Sequence, residues 1–395
     1  MAVATRSSTF GSVLLSGLAI SCAFTAAAQE RIVKIGAVLP LTGPQQSNGI
    51  QIAAGISRYV AQHGDTVAGK KVQVIAKDDG AVADNSKRLA QEMVVNDKVN
   101  FLVGFGITPT AFAVSPLASQ AKIPQIVMGA ETSSITERSP YVVRTSGTLA
   151  QKSVIMAEWA LKNGIKKVVS IVSDYAPGID AETFFKETFV RGGGQIPEFI
   201  RTPLANPDFA PFLQRARDAR PDAVFVFQPA GDNASFIHQY LERGLDKAGI
   251  RIIGAGDIVD DDLLYSAGDQ VIGAVTADFY SAYHQSVMNK EYSAAMRKAN
   301  NINQPNIMSV GGYDGMHLIY EALKKTNGVT GGDVLVPAMK SMSWESPRGP
   351  VSIDPETRDI IQNIYMRKVE KVDGKLYNVE FETFNAVKDP GKIKR

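Results

Sequence analysis

The sequence predicts an α/β fold of two Rossmann-like lobes, each built on a parallel-type sheet. Three observations carry this. Short runs rich in β-branched residues alternate with amphipathic helical segments at intervals of about 30 residues, the rhythm of strand–helix–strand units. The alternation comes in two successive series, and a single parallel sheet of ten or more strands would be uncommon. A composition of 45% hydrophobic against 21% charged residues supplies the large core that such lobes need.

The first series opens at 32–39, read as a buried strand. Residues 48–62 place Ile50, Ala53, Ile56 and Val60 at helical spacing. In 71–77, Val72, Val74 and Ala76 fall on one face of a strand. Asp84 can cap a helix running to about Asn96, and 101–103 begins the third strand. Helix at 111–121 and strand at 125–128 complete the series. The second series follows residues 141–144. Its strands are read at 167–172, 196–200, 223–227, 251–254 and 271–277, with helices at 178–191, 209–219 and 232–243. Beyond these come a helix near 311–325 and a strand meander at 360–368 and 376–384. No Pro/Gly/Ser-rich linker separates the two series, so direct crossings between lobes are expected.

The first thirty residues have the layout of a secretory signal: Arg6 near the start, an apolar run from about Val13 to Phe24, then Ala26-Ala27-Ala28 before Gln29-Glu30. Ser16, Gly17 and Ser21 interrupt the run, which is shorter than the ~20 residues of a spanning helix. Cleavage after Ala28 is therefore expected, in preference to a retained anchor. Cys22, the one cysteine, lies inside this segment. The mature chain would then have no thiol, excluding cysteine catalysis, zinc–thiolate sites and disulfides. Lipid acylation of Cys22 is the alternative, although Ala19-Ile20-Ser21 lacks the usual leucine three positions upstream. Basic and acidic residues nearly balance, 42 against 40, which argues against nucleic acid or an anionic membrane as partner. No later apolar stretch is long enough to insert. Residues 388–395 read as a solvated basic tail.

The opening Ile32-Val33-Lys34-Ile35-Gly36-Ala37-Val38-Leu39-Pro40-Leu41-Thr42-Gly43-Pro44 resembles that of leucine/isoleucine/valine-type periplasmic solute-binding proteins, components of ABC importers. Lys77-Asp78-Asp79, Phe101-Leu102-Val103-Gly104, Tyr141-Val142-Val143-Arg144-Thr145, the helix at 313–322 and Gly349-Pro350-Val351 match in order. The resemblance thus spans essentially the whole mature chain. It implies a type I periplasmic binding fold, with hinge segments crossing near 144–147, 277–280 and 344–352. Lobe one would comprise 30–144 plus 280–346, and lobe two 145–279 plus 347–385. Residues 1–28 would be the signal peptide and 386–395 a basic tail. The resemblance further implies a periplasmic, monomeric protein that is not an enzyme. It would capture a small carboxylate-bearing ligand, an apolar amino acid or an aromatic acid, and deliver it to an ABC permease and its ATPase. A ligand-sensing receptor module is the alternative of another class, but it would carry a signalling domain for which this reading leaves no residues.

The site candidates follow from strand ends. Gly104-Phe105-Gly106-Ile107-Thr108-Pro109-Thr110 follows a strand and opens a helix. Unpaired amides and the positive dipole end suit a carboxylate there. Ile107, Thr108 and Thr110 are the candidate contacts, with ordinary capping by Thr108 as the alternative. A dinucleotide loop would need glycine where Pro109 stands, and at Gly254-Ala255-Gly256 where Val259 stands; no cofactor is expected. Ala130, Glu131 and Thr132 belong to a turn similar to the family's carboxylate-facing loop. Glu131 would repel a carboxylate unless it points away or holds a cation. Tyr175 offers a flat face and a phenol tip. At Phe227-Gln228 amino-acid binders often place a tyrosine; here Gln228 can only hydrogen-bond. Where amino-acid members usually place an ammonium-pairing glutamate, this chain has Gly256, with Asp257 beside it. Asp260-Asp261-Asp262 looks metal-like but reads as a capped helix start, so no metal is expected. Phe105 and Tyr280 add aromatic surface, and Gln46, just ahead of the first helix, completes the set. The missing tyrosine and the displaced acid shift the expectation from an amino acid toward an aromatic carboxylate. An exported hydrolase has the least support, since there is no Gly-x-Ser-x-Gly or His-Glu-x-x-His motif and the four histidines are scattered.

Overall fold

The computed structural model describes residues 1–4, 32–204, 207–300 and 302–393. The expected signal segment and Cys22 fall almost wholly outside them. The described chain builds two sheets. Strand β1 (Ile32–Leu39) is followed by helix α1 (Gln46–His63), the short β2 (Thr66–Val67), β3 (Lys70–Asp78), α2 (Ala83–Glu92), β4 (Phe101–Gly104), α3 (Thr108–Ala121), β5 (Gln125–Val127) and β6 (Val142–Arg144). These strands form one sheet in the order β2-β3-β1-β4-β5-β6, parallel except for the β2–β3 pair.

The chain then crosses to a second sheet. Here α4 (Leu149–Lys162), β7 (Val168–Ser173), α5 (Ala176–Arg191), β8 (Phe199–Thr202), α6 (Ala210–Asp218), β9 (Ala223–Phe227), α7 (Asn233–Glu242), β10 (Arg251–Ala255), the single turn α8 (Leu264–Ala267) and β11 (Val275–Asp278) follow in sequence. A second crossing returns the chain to the first lobe as α9 (Val287–Asn300), α10 (Ile307–Lys325) and α11 (Gly332–Met339). A third brings β12 (Ser343–Ser346), β13 (Gly349–Ile353), β14 (Ile360–Val372) and β15 (Lys375–Val387) onto the second sheet. That sheet runs β12-β13-β14-β11-β10-β9-β7-β8, with β15 pairing β14.

Alternation along β1 explains the layers. Val33, Ile35, Ala37 and Leu39 face the core shared with α1 and α10, whereas Val38 faces the core of α2 and α3. The α1–α10 packing needs glycine. A Cβ on Gly55 would lie 1.9 Å from the Ser309 carbonyl oxygen, and one on Gly312 2.5 Å from that of Ile52, so the two backbones touch.

Each crossing is held by a buried arginine; Arg144, Arg348 and Arg367 are the largest fully buried side chains among the described residues. Arg144 Nε donates to Asp359 Oδ1 at 2.8 Å and its Nη2 to the Thr132 carbonyl at 2.7 Å. Arg348 Nε and Nη2 donate to Asp314 Oδ2 at 2.9 and 2.6 Å, and Nη2 also to the Thr145 carbonyl. Arg367 Nη1 donates to the Tyr280 carbonyl. Guanidinium forks can bridge several acceptors at once, so each one ties a crossing segment to a neighbouring element, and Arg348 joins the third crossing to the first.

Several expectations need correction. Asp84 lies in the first turn of α2 and makes no cap; Val82 holds the cap position. The helix expected through Asn96 passes into a π turn at Met93–Asp97. Val271 sits in a 3-10 turn, and the strand begins at Val275. The basic tail is docked over its described part: Asp389 is buried and accepts from Ser133 Oγ and Thr148 Oγ1, while Lys392 pairs with Glu137 at 2.7 Å. No helix among the described residues is long and apolar enough to cross a membrane.

Candidate functional site

In both sheets the chain leaves one strand in opposite directions. β1 lies between β3 and β4, and β7 between β8 and β9. The carboxyl ends of such strands flank a crevice that connecting loops cannot fill. The two crevices face one another and form a cleft with about 320 Å³ of empty space, counting its open mouth. Lobe one contributes Gln45 and Asn48 after β1, Gly106, Ile107 and Thr108 after β4, Gly129, Ala130 and Glu131 after β5, and Met308 from α10. Lobe two contributes Leu149, Tyr175 and Pro177, Phe227 and Pro229, and Asp257.

Helices α1, α3, α4, α5 and α10 all start at this cleft. At α3, Ile107 is the cap residue in an extended conformation (φ −137°) and offers no capping side chain. The Thr108 hydroxyl shares a 2.9 Å hydrogen bond with that of Thr132, and Thr110 Oγ1 donates to the Ile107 carbonyl at 2.8 Å. What α3 offers a ligand is therefore backbone N–H rather than the threonine hydroxyls. Tyr175 caps α5 in the same way, extended and without a side-chain cap bond. Its ring stacks beside Phe227, centroids 6.2 Å apart and planes 23° from parallel, giving one apolar wall. No lysine, arginine or histidine side chain lines the cleft. An anion here would be held by helix amides, Gln45 and Asn48.

The opposite chemistry lies alongside. Lys152 of α4, fully buried, places Nζ 2.9 Å from Glu131, 3.1 Å from Asp278 Oδ1 and 3.3 Å from Asp257 Oδ2. Arg367 Nη2 reaches the other oxygen of Asp278 at 3.4 Å. Burial pushes the Glu131 carboxyl up to about 8; Lys152 opposes this, and Asp257 and Asp278 add to it. Burial also raises Asp257, against Lys152 and with Asp278. For Lys152, burial alone would favour the neutral amine, but Asp257, Asp278 and Glu131 outweigh it and hold the ammonium charged. Burial, with Asp257 and Glu131 near, keeps the Tyr175 phenol protonated well above its ordinary value. Gly256 is forced by this cluster: a Cβ would stand 1.9 Å from Asp278 Oδ2 and 2.0 Å from Arg367 Nη2.

Of the sequence candidates, Ile107, Thr108, Ala130, Glu131, Tyr175, Phe227 and Asp257 meet at the cleft. Six do not line it. Gln46 is exposed one residue past Gln45. Phe105, at φ +64°, turns its ring into the α2–α3 core. Thr110 and Thr132 lie behind the wall in the bonds given above. Gln228 is buried, its Oε1 accepting from Ser173 Oγ at 2.6 Å. Tyr280 donates to Asn289 Oδ1 at 2.9 Å in the core beyond the second crossing. The acids 260–262 do not cap a helix together. Asp260 accepts from Asn306 Nδ2, Asp261 pairs with Arg367, and Asp262 accepts from the Asn303 amide. Among the described residues no cluster of His, Cys, Asp or Glu is placed to hold a metal. Sequence reasoning missed Gln45, Asn48, Leu149, Pro177, Pro229 and Met308 on the wall, and Lys152 behind it.

Two facing α/β lobes with a cleft across their strand ends define a hinged ligand-binding protein. A family model described as periplasmic binding protein matches residues 32–375, and the chain belongs to that family. It is 44% identical over 383 residues to the Leu/Ile/Val-binding protein homolog 6 of Brucella abortus, covering 96% of this chain and 98% of that one. A solute-binding protein of an ABC transporter from Rhodopseudomonas palustris BisB5, solved in complex with 3,4-dihydroxybenzoic acid, is 65% identical. It superposes with a TM-score of 0.90 over 92% of this chain and 100% of that one. A counterpart from Rhodopseudomonas palustris HaA2, solved with p-hydroxybenzoic acid, is 43% identical, with a TM-score of 0.89 and coverage of 92% and 100%.

Proposed function

We propose that this protein is the periplasmic binding component of an ABC importer and that its ligand is an aromatic carboxylate of the hydroxybenzoate class. The observation that carries this reading is the cleft itself: an aromatic wall of Tyr175 and Phe227 beside helix amides, with no cationic side chain on the lining. A flat ring suits the wall, and the ligand carboxylate suits the amides of α3. The two Rhodopseudomonas palustris proteins that hold hydroxylated benzoic acids support it. Closure of the lobes buries the ligand and presents a joined surface to the permease. Binding, with no bond made or broken, is the whole of the chemistry. In this reading the signal segment is removed after Ala28 and the mature chain acts as a monomer in the periplasm. The lobes divide at the three crossings, with β12 counted to lobe two.

A branched-chain amino acid is the second reading, favoured by Asp257 on the cleft wall and by the name of the Brucella relative. Thermal unfolding of the mature chain separates the two, because a ligand that binds only the native state raises the midpoint. The proposal expects upward shifts with 3,4-dihydroxybenzoate and 4-hydroxybenzoate and none with leucine, isoleucine or valine. The reverse pattern would replace it with the amino-acid reading.

A further inference from the structure

The cleft wall carries two carboxyl groups, Glu131 from lobe one and Asp257 from lobe two, and no cation. Such a pair would ordinarily attract an ammonium-bearing ligand. Behind the wall, however, Lys152 already supplies an ammonium. It has three N–H donors and lies within 3.3 Å of three carboxylates, Glu131, Asp257 and Asp278. Arg367 pairs with the far oxygen of Asp278, and the Phe279 amide donates to the oxygen that faces Lys152, so Asp278 is already partnered on both oxygens and does not line the cleft. Glu131 and Asp257 keep free acceptor sites, since a carboxylate can take about four hydrogen bonds. Glu131 is 4% exposed, and its Oε1 makes no hydrogen bond, although Nζ stands 2.9 Å away.

We propose that Lys152 sets the specificity of this cleft, making Glu131 and Asp257 a subsite that reads ring hydroxyls and refuses an ammonium. A phenolic hydroxyl donates to a carboxylate oxygen and adds no charge. A second ammonium would lie close to Nζ in a poorly solvated place, where like charges repel strongly. Lys152 is fully buried and absent from the cleft wall, so it acts as a positioning residue through the two acids. The proposal rests on the hydroxybenzoate reading and assigns the residues that read the ring hydroxyl.

The test is calorimetric titration of the mature chain with 3,4-dihydroxybenzoate, benzoate and phenylalanine. Wild type is compared with Lys152→Met and with the double variant Lys152→Met/Glu131→Gln. The double variant also replaces the carboxyl that Nζ faces at 2.9 Å, so that Glu131 is not left without its partner if the single variant does not fold. Wild type is expected to bind dihydroxybenzoate at least about tenfold more tightly than benzoate, the scale of a site whose acceptors go unpaired with the plain ring. It should not bind phenylalanine. In the folded variants this preference is expected to fall at least about tenfold, chiefly through lost dihydroxybenzoate affinity. Butylammonium added to Lys152→Ala should restore part of it, which a merely structural lysine would not show. An unchanged preference in a folded variant would overturn the role of Lys152. A wild type that binds both aromatic acids equally would overturn the hydroxyl subsite and leave the aromatic-acid reading standing. Binding of neither acid would overturn both.

Discussion

Glu131→Gln probes the buried cluster most sharply, because the side chain keeps its shape and loses only its titration. Burial, reinforced by Asp257 and Asp278 and only partly opposed by Lys152, moves the Glu131 carboxyl from 4.5 to about 8. At about 1.4 kcal/mol per unit, this corresponds to on the order of 5 kcal/mol across the whole window. The sign follows from proton counting. A raised acid keeps its proton in the native state while the unfolded chain has lost it. Its contribution is therefore full below 4.5 and declines as pH rises from there to about 8. Between pH 4.5 and 7 the loss is on the order of 3 kcal/mol, with roughly 1 more by pH 9. Glutamine has no such loss. With an unfolding entropy of about 2.1 cal/mol/K per residue, 3 kcal/mol is a difference of ~4 °C in a chain of this size. Differential scanning calorimetry at pH 5, 7 and 9 should show nearly equal midpoints at pH 5 and a growing advantage for Glu131→Gln above it. Parallel curves for the two proteins would refute the placement of a raised acid at this position.

The remaining predictions concern packing and binding. Arg348→Met leaves Asp314 unpaired at the third crossing and should cost about 3–5 kcal/mol by thermal unfolding, with partial recovery in Arg348→Met/Asp314→Asn. Gly256→Ala forces a methyl into Asp278 and Arg367 and should destabilise the protein by about 1–3 kcal/mol, measured the same way. Tyr175→Ala removes half of the aromatic wall and should weaken 3,4-dihydroxybenzoate by about tenfold or more, measured by titration of the folded variant.

The sequence was legible where burial is two-sided. The strand at 223–227 is a continuous apolar run and that at 32–39 is apolar except for Lys34, because both faces are largely covered, and their bounds agree with the structure. It was less legible where a helix is covered nearly all round. In α4, 10 of 14 residues are buried, so no amphipathic stripe marks it, and the helix went unrecognised together with Lys152. A lysine in such a segment reads as solvent-facing until the acid it serves is known. The surplus acid at Glu131 was the available signal, since it asks for a cation from somewhere. The partner, 21 residues away in sequence, emerges only when the first crossing brings α4 under the β5 loop. The wall residues Gln45, Leu149 and Met308 were missed for a related reason. Each stands at a helix start with no motif of its own, and the meeting of the two lobes makes it a contact. The short β12 and β13, and α11 with its internal Pro337, offer too little periodicity to be read.

The cleft is expected to take a hydroxylated aromatic acid between its lobes. Equilibrium titration of the mature, unliganded wild type with 3,4-dihydroxybenzoate and with leucine tests it most directly. One dihydroxybenzoate per chain is expected to bind saturably, with a negative heat-capacity change from buried apolar surface, and leucine to give no heat of binding. Saturable leucine binding with no response to dihydroxybenzoate would contradict it.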